Sequence, residues 1–435
     1  MITVLIVVSW HGHHPSYCAE LIRACDAFSR KIYVLCPGEA NPLERVGGPA
    51  ALTEKVSVMV HGNRAAKTGF KNIADMAADF RELRSRVDSI RAANPGEELF
   101  IFHTSLDSLF IGVWQLPLLW FRIREFLPWP FAGLMLNPER RWPLSRARHE
   151  LDRRLGVAGE RGRLAQCAHS FFSGLLTGAA AAMRRFYLWQ KNCVLRRSRC
   201  EQIALQDERY ADWLARKTGK AVVIYPETTS VQVSNPPPEL VRTIAAKRQG
   251  RVVVGLLGEL SRRKCVDLLL DVIEHHDTDG FLFVIAGTCN PAVFLPQHRA
   301  FLEEGIHKRG NVIFSPQAVP SESDFNAIIE SCDIIYAIYR DHPHSSNVIS
   351  KAAAFGKPVL VNRGELMAKR VEEYRMGCIL TEFSAEGCIK ALRQMSSPES
   401  LAAVRKTGRF AEYMEGHSLT GLQATMSRLS RTRVR

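Results

Sequence analysis

The sequence predicts an α/β protein built from two domains, each with a parallel β-sheet between layers of helices. Its 435 residues are enough for two or three domains with well-developed cores. Hydrophobic residues make up 46% and charged residues 23%, which excludes a disordered or fibrous chain. Short apolar runs alternate with longer segments of helical periodicity, which is the pattern of successive β-α-β units.

The first half of the chain contains five predicted strands and a clear first helix. The helix is predicted to open at Pro15, because Cys18, Leu21, Ile22 and Cys25 then fall on one face. The apolar run MITVLIVV lacks a basic leader and a cleavage site, so we expect a strand there and not a signal peptide. The predicted strands are residues 2–8, 32–36, 56–60, 99–102 and 131–136.

A second α/β series follows a break in the middle of the chain. The run Ser234-Asn235-Pro236-Pro237-Pro238 fits neither a helix nor a sheet interior, and we expect it to join the two domains. The predicted domains are residues 1–232 and 233–410, with 411–435 as a helix or tail that packs back on the first domain. The predicted strands of the second domain are residues 252–257, 281–286, 312–314, 334–338 and 358–361.

Charge and cysteine content restrict the environment and the partners. Lys and Arg number 58 against 44 Asp and Glu, a net charge of +14, which draws the protein toward nucleic acid, anionic lipid or phosphorylated substrates. The 11 cysteines are odd in number and form no C-x-x-C pair, so we expect neither a disulfide framework nor a structural zinc site. No segment reaches the ~20 apolar residues of a membrane-spanning helix. The expected location is therefore cytoplasmic.

One candidate binding loop follows the predicted strand 252–257. Gly258 ends the strand, and Arg262, Arg263 and Lys264 lie in the short loop that leads to the next helix. Ligands of open α/β sheets bind outside the carboxyl ends of the strands, where a glycine permits close approach of the backbone. Lys and Arg at this place suit a diphosphate, although solvated surface charges remain the alternative interpretation.

A second candidate follows the predicted strand 334–338. A polar loop leads to Ser345 or Ser346, either of which is placed to cap a small-residue helix that stops at Gly356. A helix start offers backbone N–H groups to an anion. An ordinary β-α-β unit is the alternative.

Together the two stretches resemble the donor-binding half of family 4 glycosyltransferases, in the glycosyl transferases group 1. The resemblance rests on Gly258-x-Leu260-Ser261-x-Arg263-Lys264 and on Ala352-x-Ala354-x-Gly356-Lys357-Pro358-Val359. It implies the GT-B fold, in which two Rossmann-like domains with parallel sheets face a central cleft. It also implies retaining transfer of a hexosyl or related group from a nucleotide-sugar donor to a glycan or lipid-linked saccharide acceptor. The nucleotide-sugar is a substrate, and neither a cofactor nor a metal is expected.

The resemblance carries roles over to individual residues. Lys264 and Arg263 match the basic residues that hold the donor diphosphate, and Gly258 matches the loop glycine. The stretch Ser345-Ser346-Asn347 matches the helix start that contacts phosphate and sugar. These are the expected donor-binding residues of the second domain.

The chain also departs from the family pattern. Glu259 stands where an arginine usually follows the loop glycine, and Pro343 and Lys351 stand where the family has two glutamates. The later glutamate binds the nucleotide ribose, and a lysine cannot accept hydrogen bonds from that diol. Asp341 is a candidate catalytic acid that a shifted loop would bring to the earlier position. A non-catalytic GT-B-like protein and a nucleotide-sugar epimerase therefore remain alternatives.

The loop after the first strand is the main candidate of the first domain. Gly12 stands where the family has a glycine-rich turn near the donor phosphates, and His13 is a candidate donor contact. His14 is a candidate on the acceptor side. A metal site formed by the loop histidines, and a purely structural loop, are the alternatives.

Two further strand ends supply candidates. His103 follows strand 99–102 and resembles the histidine that faces the donor sugar in the family, which makes it a candidate catalytic residue. Asn137 and Glu139 follow strand 131–136 and are expected on the acceptor side. Each of these could instead be structural.

A basic stretch from Arg184 to Arg199 contains six Lys and Arg residues, no acid, and the aromatic residues Phe186, Tyr187 and Trp189. A solvated helix face, an anionic membrane surface and nucleic acid are the three interpretations. No recognisable nucleic-acid-binding motif supports the last of them, so the expected partner is an anionic membrane, with the C-terminal arginines as further contacts.

Overall fold

The computed structural model describes residues 1–7, 14–37, 54–61, 73–107, 122–125, 127–135, 182 and 185–431. The chain divides into two compact units. The first comprises Met1–Tyr225 together with Gln423–Arg435, and the second comprises Pro226–Leu422. The candidate residues Gly12, His13, Asn137 and Glu139 lie outside the described residues.

The first unit contains a seven-stranded sheet in the order β3-β2-β1-β4-β5-β6-β7, with every pair parallel. Its strands are β1 (Ile2–Ile6), β2 (Lys31–Pro37), β3 (Val56–His61), β4 (Leu99–His103), β5 (Phe131–Met135), β6 (Cys200–Leu205) and β7 (Ala221–Ile224). Its described helices are α1 (His14–Asp26), α2 (Ile73–Ala93), α3 (185–197), α4 (Ala211–Thr218) and, from Gln423 onward, most of α14 (Leu419–Arg431).

Burial explains why the first elements form where they do. All five residues of β1 are buried, as in a central parallel strand covered on both faces. The predicted face of α1, formed by Cys18, Leu21, Ile22 and Cys25, is buried throughout. The one polar side chain of β1, Thr3, shares a 2.6 Å hydrogen bond with the Ser29 hydroxyl.

The second unit contains a six-stranded parallel sheet in the order β10-β9-β8-β11-β12-β13. The strands are β8 (Val252–Leu257), β9 (Phe281–Ala286), β10 (Val312–Ser315), β11 (Ile334–Ala337), β12 (Val359–Asn362) and β13 (Gly377–Leu380). The α-helices are α5 (Glu239–Arg248), α6 (Val266–His275), α7 (Pro296–Ala300), α8 (Glu322–Ser331), α9 (Asn347–Ala354), α10 (Leu366–Tyr374), α11 (Ala385–Ser396), α12 (Pro398–Thr407) and α13 (Phe410–Gly416). Two buried clusters, one on each face of the sheet, form its core.

The α/β class and the two parallel sheets predicted from the sequence are confirmed, and β8 and β9 have the predicted bounds. Three strands were absent from the prediction, namely β6, β7 and β13. The strands β7 and β13 are four-residue edge strands, too short to show a period. In β6, the polar residues Glu201 and Gln202 interrupt the apolar pattern.

Gln202 shows how the end of the chain completes the first unit. Its side chain is buried and donates a 3.0 Å hydrogen bond to the backbone carbonyl of Leu429 in α14. Leu429 and Met426 of the same helix are buried as well. The C-terminal helix therefore covers β6 and satisfies its buried amide.

The ten cysteines within the described ranges are all free thiols. Burial raises the pKa of several of them, including that of Cys18 to about 12. In the part of the chain that the structure describes, no helix is both long and apolar enough to cross a bilayer.

Candidate functional site

The loop after β8 places a glycine backbone and a lysine ammonium side by side at the carboxyl edge of the second sheet. Gly258 has φ +97°, a conformation that a residue with a side chain rarely adopts. A Cβ at this position would lie 2.6 Å from the Lys264 Nζ. A Cβ on the neighbouring Gly287, which follows β9, would lie 1.9 Å from the Gly258 carbonyl oxygen. Gly287 is therefore required by the packing of the two strand ends, and Gly258 by its backbone conformation.

Lys264 is the most perturbed cation of the loop. The residue is 9% exposed, and its ammonium donates a 2.5 Å hydrogen bond to the backbone carbonyl of Leu257. Burial, followed by the nearby Arg263 charge, lowers the pKa of Lys264 to about 8. A buried ammonium whose charge is so poorly compensated would gain from a bound anion.

Arg263 and Tyr339 extend the same surface. The Arg263 guanidinium lies 5.4 Å from the centre of the Tyr339 ring, and Lys264 Nζ lies 5.8 Å from it. Arg263 is about half exposed, and its ion pair with the exposed Glu259 spans 3.8 Å. Glu259, which stands where the family has an arginine, therefore reduces the positive charge of the loop only weakly.

Arg340 ties this loop to the segment that follows β11. Its backbone N–H donates to the carbonyl of Arg263 at 2.7 Å, and its guanidinium donates to the carbonyl of Arg262 at 3.1 Å. The guanidinium also pairs with the carboxylate of Asp267, in the first turn of α6, at 3.0 Å. These bonds bring the two stretches singled out in the sequence together in one place.

The start of α9 has no side-chain cap. Ser346 occupies the N-cap position, but its side chain makes no capping hydrogen bond to the helix and instead shares a 2.9 Å bond with the Tyr339 hydroxyl. Asn347 Oδ1 is buried and has no hydrogen-bond partner among the described residues. The first N–H groups of α9 and the cations of the β8 loop therefore flank the same tyrosine.

Ser345 is held by a buried ion pair that the sequence analysis did not identify. Its hydroxyl donates to the Glu227 carboxylate and accepts a 2.9 Å hydrogen bond from Arg370. The Arg370 guanidinium lies 3.5 Å from Glu227, and both side chains are almost fully buried. Glu227 and Arg370 are separated by 143 positions in the chain, so no local spacing pattern could have revealed this contact.

The loop between Tyr339 and Ser345 carries three further titratable residues, namely Asp341, His342 and His344. Burial and the Arg263 charge lower the pKa of His342 to about 4, so the ring is neutral near pH 7. Its ring stacks on Tyr339, with centroids 4.9 Å apart, and its Nε2 shares a 3.1 Å hydrogen bond with the Ser345 carbonyl. Asp341 is exposed and has φ +53°. This candidate acid thus lies directly beside the loop that carries the phosphate-binding candidates.

Lys351, at the position of the family's ribose-binding glutamate, is committed to an internal network. Its ammonium contacts the Glu322 carboxylate at 2.8 Å and the Asn326 side-chain oxygen at 2.7 Å. It also lies 5.8 Å from the centre of the Phe325 ring. Phe325 is within 3.9 Å of the position of a Gly258 Cβ, so this network adjoins the β8 loop.

In the first unit, His103 is the last residue of β4 and is 2% exposed. Its Nδ1 accepts a 3.4 Å hydrogen bond from the backbone N–H of Ser105. His14 is the first residue of α1. Within the described ranges, no group of three or more His, Cys, Asp or Glu residues is arranged to hold a metal ion.

Comparison with known proteins finds a family model that matches part of the second unit. Residues 251–397 match the family model described as glycosyl transferases group 1. No curated protein matches the chain.

Solved structures match the whole chain at low sequence identity. Sucrose-phosphate synthase from Thermosynechococcus elongatus has a TM-score of 0.61 and 13% identity, with 99% of this chain and 98% of that chain covered. HepE from Anabaena, in complex with UDP, has a TM-score of 0.61 and 11% identity, with 98% of each chain covered. WaaG, a glycosyltransferase involved in lipopolysaccharide biosynthesis, has a TM-score of 0.57 and 12% identity, with 99% and 100% covered.

The chain therefore has the fold of GT-B glycosyltransferases, as the sequence predicted. Within the second unit, the part from β8 to the end of α11 is similar to the glycosyl transferases group 1. The same part contains the β8 loop and the start of α9 described above.

Proposed function

We propose that this protein is a glycosyltransferase that moves a sugar from a nucleotide-sugar donor to a hydroxyl of a glycan or lipid-linked saccharide. The observation that carries the proposal is the buried Lys264 ammonium, which lies beside the Gly258 backbone and has its pKa lowered to about 8. A diphosphate supplies the negative charge that this group lacks. The match of residues 251–397 to the glycosyl transferases group 1, and the UDP bound to the structurally similar HepE, support a nucleotide-sugar as the ligand.

In the proposed reaction the bond between the sugar's anomeric carbon and the diphosphate oxygen breaks, and its electron pair stays on the diphosphate. The acceptor oxygen forms the new bond to that carbon, and its proton passes to the diphosphate oxygen. Lys264, Arg263 and the N–H groups at the start of α9 stabilise the developing negative charge. No metal is needed for this role. Retention at the anomeric carbon follows from the resemblance to family 4.

The remaining candidates take roles around this donor site. We propose that Ser345, Ser346 and Asn347 contact phosphate and sugar, and that Asp341 is the acid nearest to the reacting sugar. In the first unit, His103 at the carboxyl end of β4 is proposed as a catalytic residue, with His13, His14, Asn137 and Glu139 as further candidates. We also propose that the enzyme works at the cytoplasmic face of an anionic membrane.

The test is calorimetric titration with uridine, guanosine and adenosine diphosphates, using wild type, Lys264→Ala and the exposed control Lys390→Ala. A charge-assisted contact contributes about 1.5 to 3 kcal/mol, so Lys264→Ala should weaken the best ligand about 10- to 150-fold. Lys390→Ala should bind like wild type. Equal affinity for all three proteins would overturn the assignment of the donor site.

A second candidate function is favoured by Lys351, which is committed to Glu322 where the family has a ribose-binding glutamate. In that case the protein binds a nucleotide-sugar without turnover. Incubation with nucleotide-sugars separates the possibilities, because slow donor hydrolysis indicates a transferase and sugar interconversion indicates an epimerase. If wild type is inert, the charge-exchanged variant Lys351→Glu with Glu322→Lys, which restores the acid and keeps the ion pair, should gain donor hydrolysis.

A further inference from the structure

Helix α3 exposes an aromatic pair on the first unit. Tyr187, Val194 and Leu195 are buried and anchor the helix to the core of that unit. On its other face Phe186 is 50% exposed and Trp189 is 60% exposed, and their rings stack with centroids 5.9 Å apart. They are the two exposed large aromatic side chains among the described residues of this unit. Exposed aromatics that touch each other form a patch, and they mark an interaction site more often than scattered apolar residues do.

The position of this pair along the helix is fixed by contacts to β5. Lys191 Nζ lies 4.0 Å from the sulfur of Met135, the last residue of β5. The helix then runs toward the amino end of β6, which begins at Cys200. Phe186 precedes Lys191 by five residues, which is about 7.5 Å of helix, on the side away from the amino end of β6. The aromatic pair therefore lies at the carboxyl edge of the sheet, the edge at which His103 ends β4.

Positive charge surrounds the pair along the same helix. Arg185, Arg196, Arg197 and Arg199 are exposed, and residues 185–199 contain no Asp or Glu. Arg124 adds a further cation, since its Nε donates a 2.8 Å hydrogen bond to the carbonyl of Arg197. An exposed aromatic pair within a basic helix face is the combination found in helices that lie in the headgroup region of anionic bilayers.

We propose that α3 docks the protein on an anionic membrane, with Phe186 and Trp189 inserted among the lipid headgroups and the surrounding arginines against lipid phosphates. The docked edge of the first unit is the one that carries His103, so the acceptor would be a membrane-borne, lipid-linked saccharide and not a free sugar. The choice of acceptor class rests on the proposed transferase function. The docking itself does not.

The experiment measures cosedimentation of the full chain with vesicles of phosphatidylcholine alone or with about 30% phosphatidylserine. Wild type should bind the anionic vesicles at low salt, and binding should fall as salt rises, because surface charges are screened over ~8 Å at physiological ionic strength. The double variant Phe186→Ala with Trp189→Ala should lose about tenfold or more in partitioning. Phe383→Ala, which truncates a 49%-exposed aromatic of the second unit, is the matched control and should bind like wild type.

Two readouts keep the outcomes apart. Brominated lipids should quench tryptophan fluorescence in wild type, and Trp189→Phe should remove most of that quenching. Nucleoside diphosphate affinity of the double variant should equal that of wild type, so loss of vesicle binding is not confused with failure of the donor site. Equal vesicle binding by wild type and double variant would overturn the proposal. So would a wild-type dimer in sedimentation velocity, or a complex with RNA, that the double variant cannot form.

Discussion

Raising the pH from about 7 to about 9 should weaken the binding of a nucleoside diphosphate to this protein, because the Lys264 ammonium loses its proton in that range. Without ligand its pKa is about 8, lowered first by burial and then by the Arg263 charge, with Glu259 acting in the opposite direction. The groups that face it from the segment after β11 are the Tyr339 ring and His342. Neither supplies a negative charge near pH 8, since burial raises the pKa of Tyr339.

The size of the effect follows from linkage. A bound diphosphate favours the charged lysine and returns its pKa toward the ordinary value of about 10.4. Protonated lysine is then the binding form, and affinity should fall about tenfold between pH 7 and pH 9, or about 1.4 kcal/mol. The ligand contributes little to this change, because the second phosphate pKa is about 6 and both phosphates are ionised throughout.

Proton uptake gives an independent measure of the same event. At pH 8 about half of the lysines are neutral before binding, so complex formation should take up about half a proton per ligand. Titration calorimetry in two buffers of different ionisation enthalpy measures this number directly. Lys264→Arg, which carries a permanent charge, should show neither the uptake nor the fall in affinity. Uptake in that variant equal to wild type would refute the reasoning, since the proton would then belong to another group.

Two further predictions concern stability around the site. Gly258→Ala should lower the free energy of unfolding by about 1 kcal/mol or more, because φ +97° strains an alanine. The control Gly280→Ala, with nothing within 4 Å of its Cβ, should be close to wild type in thermal melts. Glu227→Gln leaves the buried Arg370 charge without its carboxylate partner, and it should lower the free energy of unfolding in urea by about 3 kcal/mol. Adding Arg370→Met should recover part of that loss. A double variant less stable than the single one would contradict the assignment of the pair.

The local sequence pattern was sufficient to predict those strands whose buried residues form one continuous apolar run in the sequence. The strands β8 and β9 have the predicted bounds because each is a continuous apolar run that stops at a glycine required by the backbone. The strand β6 could not be recognised in this way, since the buried amide of Gln202 donates its hydrogen bond to α14, 227 positions away. The group that pairs with Gln202 is brought close only by the tertiary fold, so no short stretch of sequence around β6 contains it.

The same distinction applies to the site. The loop of Arg263 and Lys264 was predictable, because strand, glycine and cations follow one another within a few residues. Tyr339, which the cations flank, belongs to a different strand end, and its ring is defined only by folding. The cap of α9 differs from the expectation for a related reason. The Ser346 hydroxyl can form a hydrogen bond either with the N–H groups of its own helix or with the Tyr339 hydroxyl, and it bonds to Tyr339. The sequence around Ser346 does not reveal the position of that tyrosine.

The return of the chain to its first unit has a practical consequence for dissecting the protein. Residues 226–422 form one contiguous piece, so a fragment with these ends contains every residue of its unit, including the complete β8 loop and the start of α9. A fragment ending at Tyr225 would lack α14 and expose Gln202 together with the surface that Met426 and Leu429 cover. To produce the first unit alone, the C-terminal segment from Gln423 onward therefore has to be joined by a linker to Met1 or to Tyr225. The second unit needs no such engineering, because its residues are continuous in the chain.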